Sequence, residues 1–175
     1  MSVSTTNLVS NTGVVATDTT GVGTTRHYLG ACEYSSNKDK AIFGYGTGPT
    51  SVTNLVSNTG VVATDTSGVG TARNNLAACG YGGDKGIFGF GYSTGDVATT
   101  NLVSNTGVVG ADVSGVGTAR ANPDATQYGG DKGIFAFGES PGSNKSNLVS
   151  NTGVVATDGT GVGTGRYAPA AFSYN

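Results

Sequence analysis

The string Asn-Leu-Val-Ser-Asn-Thr-Gly-Val-Val begins at Asn7, Asn54, Asn101 and Asn147, at intervals of 47, 47 and 46 residues. A period this regular means one supersecondary unit copied in tandem, each copy burying its apolar side against the next. A unit of ~40–50 residues rich in Gly, Thr and Val has the size of one propeller blade. The period therefore predicts an all-β chain.

Two further elements keep the same beat. Gly-Val-Gly-Thr-x-Arg starts at Gly21, Gly68, Gly115 and Gly161, whereas Asp-Lys-x-Ile-Phe starts at only three places, Asp39, Asp84 and Asp131. Asn58-Thr59-Gly60, between Leu55-Val56 and Val61-Val62, reads as a tight hairpin turn whose Gly supplies a positive φ. Thr66-Ser67-Gly68 reads as a second turn. Gly86-Ile87-Phe88-Gly89-Phe90 alternates small and large residues, as an innermost blade strand would. Thr71 to Tyr81 reads as a fourth, outer strand, and Gly82-Gly83 as the return to the next inner strand. The expectation is one domain over 1–175, a propeller of four blades spanning about 1–38, 39–83, 84–130 and 131–175. The first blade lacks its inner strand. That gap could be filled by Met1–Thr6, be left open, or be closed by a strand donated from a neighbouring subunit.

Asp84-Lys85-Gly86-Ile87-Phe88-Gly89-Phe90-Gly91, with Thr71-Ala72-Arg73, resembles the kelch type of β-propeller repeat. The wording Asn-Leu-Val-Ser-Asn-Thr-Gly-Val-Val-Ala-Thr-Asp with Asp-Lys-x-Ile-Phe-Gly is similar to repeats of phage tail and virion-associated proteins. That resemblance implies an extracellular structural or adhesive role.

Most charged residues belong to the repeat. Asp18, Asp65, Asp112 and Asp158 each precede an arginine by eight residues: Arg26, Arg73, Arg120 and Arg166. A group present in every copy holds the copies together more readily than it catalyses, because catalysis needs an asymmetric site. Asp–Arg or Arg–backbone hydrogen bonds between turns are expected, with an inward ring of arginines as the functional alternative. Outside the repeat, the lone His27 has no serine–acid partner at a recognisable spacing. With Cys32 and Glu33 it makes too sparse a set for a metal. Gly-Val-Gly-Thr-x-Arg lacks the lysine of a phosphate-binding loop. No enzyme activity, cofactor or metal is expected.

With net charge −2 and no basic stretch, nucleic-acid binding is disfavoured. No apolar run is long enough for a membrane helix, and no secretory leader is visible at Met1–Thr6. Cys32 and Cys79, one period apart, are expected to be small buried thiols rather than a disulfide. Variation between copies gathers after each arginine and after each inner strand. Tyr28, Asn74, Asn75, Tyr92, Asn122 and Tyr167 fall there and are candidate contacts to a glycan or protein. The expected role is a structural or adhesive component of a virion surface or extracellular fibre that binds its own kind or other subunits. The alternative is a lectin-like module using the variable loops. Asn144-Lys145-Ser146 is a glycosylation sequon.

Overall fold

A computed structural model describes residues 3–139 and 142–174. These residues form no helix, and so none long and apolar enough to cross a membrane. They form nine strands in three antiparallel three-stranded sheets. The first sheet contains β1 (Gly30–Tyr34), β2 (Lys40–Gly44) and β3 (Thr53–Val56). The second contains β4 (Ala77–Tyr81), β5 (Lys85–Gly89) and β6 (Thr100–Val103), and the third β7 (Asp124–Tyr128), β8 (Lys132–Ala136) and β9 (Ser146–Val149). The all-β expectation holds, but these described strands do not make a closed four-bladed ring.

The strand pairing departs from the blade drawn from the sequence. β4 does not close the sheet before it. It pairs with β5, from Ala77↔Gly89 to Tyr81↔Lys85. Gly82 and Gly83, at φ 61° and 77°, form a turn short enough to fold the flanking segments onto each other. The Asp-Lys-x-Ile-Phe segment is consequently the middle strand of each sheet, with a hydrogen-bonded partner on both sides.

The expected Asn-Thr-Gly hairpin is present in all four copies. Ser57 Oγ accepts from the N–H of Thr59 (3.3 Å) and of Val61 (3.0 Å), and Gly60 takes φ 79°. The returning segment meets β3 at bridges Val56↔Val62 and Thr53↔Thr66. The first hairpin has the same geometry, with bridges Val9↔Val15 and Thr6↔Thr19. Of the proposed Met1–Thr6 substitute strand, Met1 and Ser2 lie outside the described residues, and Thr6 belongs to this hairpin.

Successive sheets stack face to face in chain order, and the core lies between them. Tyr45 and Phe88, with ring centroids 5.1 Å apart, sit in the first joint, and Phe90 and Phe135 (5.2 Å) in the second. Small residues let the sheets approach: a Cβ on Gly86 would run into Cys32 Sγ, and one on Gly133 into Cys79 Sγ. Both cysteines are buried free thiols. Loss of hydration pushes both thiols up, Cys79 to about 12.

Candidate functional site: the links between repeats

The first three Gly-Val-Gly-Thr-x-Arg segments each leave one hairpin and cross to the next. Its glycines make the crossing possible, since a Cβ on Gly70 would collide with the Asp112 carboxylate, and φ there is 79°. The threonine that follows grips that carboxylate. Thr71 donates its N–H to both Asp112 oxygens (3.1 and 3.0 Å) and its hydroxyl to Oδ2 (2.6 Å). Thr24 holds Asp65 in the same way, and Thr118 holds Asp158. An asparagine within the acceptor's own hairpin completes the grip, as Asn101 Nδ2 donates to Asp112 Oδ1 at 2.9 Å.

These hydrogen bonds set the protonation of the carboxylates. The Thr24 hydroxyl, with Asn54, holds Asp65 below the usual aspartate range. At Asp112 and Asp158 partial burial works the other way, and the Thr and Asn donors outweigh it, so both also stay low.

The arginines bridge the same joints. Arg73 lies over the Tyr45 ring of the sheet behind it, 4.2 Å from the centroid, and donates Nε–H to the Phe90 carbonyl of the sheet ahead (2.9 Å). Arg120 repeats this with Phe90 (4.0 Å) and the Phe137 carbonyl (2.6 Å), adding Asn147 Oδ1 at 2.7 Å. Burial lowers the arginine pKa values, which for guanidinium leaves them charged. The aromatic residues at these joints, Tyr45, Phe90 and Phe137, carry φ of 65°, 62° and 60°. Bulky side chains adopt that conformation only where the surroundings enforce it.

The spacing of eight between aspartate and arginine therefore does not mark the partners. Arg26 Nη1 approaches Asp65, 3.7 Å away and one repeat further along the chain. The alternative of an arginine ring finds no support in these contacts, because each buried guanidinium faces an aromatic ring and the next repeat. Thr24, Thr71 and Thr118 carry no charge or motif that marks them as partners in the sequence. Their invariance among the four internal copies was the available signal.

The six variable-position candidates come together along one edge. Tyr28, Asn75 and Asn122 occupy equivalent left-handed positions (φ 56°, 52° and 50°) and stack through their backbones. Asn75 N–H donates to the Tyr28 carbonyl, Asn122 N–H to Asn75, and Ala168 N–H to Asn122. Asn74 pairs with Tyr92 through both backbone hydrogen bonds, and Tyr167 adjoins Ala168. Tyr28, Tyr92 and Tyr167 are exposed. Of the sequon, Asn144 donates its side-chain amide to the Gly163 carbonyl (3.2 Å).

No protein-family model matches this chain, and no curated protein matches it.

Proposed function

We propose that this chain is a non-enzymatic structural or adhesive repeat protein, part of a virion surface such as a tail fibre or decoration, or of a self-assembling extracellular fibre. The observation that supports it is the use of the repeated charges. The Asp65, Asp112 and Asp158 carboxylates and the Arg26, Arg73 and Arg120 guanidiniums are engaged in holding one repeat to the next. The stacked sheets serve as blade equivalents of a propeller-type scaffold. The Thr6–Thr19 hairpin is a partial fourth blade, completed by a neighbouring subunit.

The test is negative-stain microscopy and co-sedimentation of the purified chain at neutral pH. Filaments or association with particles are expected. A dispersed monomer with reproducible glycan-array binding, lost on replacing Tyr28 and Tyr167, would favour the lectin-like reading along the Tyr28–Asn75–Asn122 edge instead.

A further inference from the structure

Inside the chain one hairpin-to-hairpin link is used three times, and among the described residues its two halves recur, unmated, at the opposite ends of the stack. We propose that the end bearing Leu148, Thr164 and Arg166 docks on the Asn7–Asp18 hairpin of a second copy of this chain, in the register of the internal joints. This rests on the self-assembling structural reading and gives that assembly its contact.

Three sets of contacts carry it. The first is the carboxylate grip. Thr24, Thr71 and Thr118 each seize the aspartate of the following hairpin. Thr164 is the fourth such donor and has no acceptor among the described residues; a Cβ on the preceding Gly163 would meet nothing within 4 Å, whereas one on Gly70 would strike Asp112. Asp18 is the fourth acceptor. Asn7 already holds it at 2.8 Å, as Asn101 holds Asp112, and no threonine grips it among the described residues.

The second is apolar. Tyr34 and Leu55 close over Gly107 of the next hairpin, and Tyr81 and Leu102 close over Gly153. The next pair in the series, Tyr128 and Leu148, stands exposed at 37% and 47%, against 4% and 3% for Tyr34 and Tyr81. The matching socket is Gly13, around which nothing lies within 4 Å of a Cβ position.

The third is the backbone ladder. Asn75, Asn122 and Ala168 each donate to the carbonyl of the position before. Tyr28 N–H and the Ala168 carbonyl are the free rungs at the two ends among the described residues. A second copy placed with Thr164 on Asp18 also places Leu148 over Gly13 and Tyr28 N–H at Ala168, because one register generates all three internal links. Charge agrees, with Arg166 at one face and Asp18 at the other.

The experiment is sedimentation velocity over a concentration series with wild type and three variants. Wild type should form a ladder of oligomers with rising concentration. Asp18→Arg and Arg166→Asp should each be monomeric with unchanged circular dichroism, having one dead end apiece. Their equimolar mixture should yield dimers, since the unmutated Arg166 end of one still mates with the unmutated Asp18 hairpin of the other. Leu148→Lys, at an exposed position, should also block the ladder without unfolding the chain. Wild type that stays monomeric throughout would overturn the inference. So would Asp18→Arg that lowers the melting temperature of a monomer, the mark of closure within one chain. Oligomers unaffected by Asp18→Arg and Leu148→Lys would overturn this contact and leave the structural role standing.

Discussion

Phe43, Phe88 and Phe135 occupy the same position of the repeat, yet Phe88 and Phe135 are wholly buried and Phe43 only half-buried. Phe88 meets Gly30 of the sheet behind it, and Phe135 meets Gly89. Phe43 belongs to the first sheet, which has no sheet behind it among the described residues, and helps line an open cavity of about 290 Å³ with Val3, Leu29 and Ala31. The same contrast separates Tyr34 and Tyr81 from Tyr128 at the other end. Burial in this molecule follows the presence of a neighbouring repeat far more than residue type. Stability should thus concentrate in the two sheet-to-sheet joints and fall away at both end faces.

The largest effect should come from emptying a joint. Phe135→Ala should cost about 3–5 kcal/mol in denaturant unfolding, as for other buried phenylalanines. Phe43→Ala should cost about 1 kcal/mol, because much of that side chain already meets solvent. Equal losses at the two sites would break the comparison.

The carboxylate grip comes next. Asp112→Ala should cost about 1–2 kcal/mol, discounted for its partial exposure, by leaving Thr71 and Asn101 without their acceptor. Asp18→Ala should leave the dilute chain within about 0.5 kcal/mol of wild type. Acid should act on the same links. The folded pKa values of Asp65, Asp112 and Asp158 lie below the unfolded value, so their contribution is complete above about pH 4 and is lost as pH falls through the lower folded values. Melting temperature should drop on acidification in wild type, and less steeply in Asp112→Ala. A parallel pH dependence in the two would show that Asp112 is not part of the linkage.

The smallest effect is one of protection. Cys32 and Cys79, buried in the joints with raised pKa values, should resist a thiol reagent at pH 8 in the native protein and react on unfolding. Rapid native labelling of both would mean that the joints open readily.

Much of this was readable from the period. Asn58-Thr59-Gly60 announces its hairpin because the turn is local, and Ile87-Phe88 announces an apolar strand. Two things were not readable. Ala77–Tyr81 could pair backward or forward, and only the Gly82-Gly83 turn selects β5, which requires knowing that the turn is tighter than the Thr66–Thr71 connection. The partner of Asp65 is hidden because Thr24 lies 41 residues away, while an arginine eight residues off suggests a closer match. Threonine is common in this chain, so its role emerges only when the repeats are stacked. The edge from Tyr28 to Asn122 was visible as variation between copies, but its shared left-handed backbone was not.

The central claim is that one Thr–Asp link recurs three times and, among the described residues, stands half-made at each end. Amide hydrogen exchange at four equivalent threonines tests it most directly. Thr24, Thr71 and Thr118 N–H should be protected in the dilute chain, while Thr164 N–H exchanges near the rate of unstructured chain and gains protection as concentration rises. Protection of Thr164 in the dilute monomer, or free exchange at Thr71, would contradict the account.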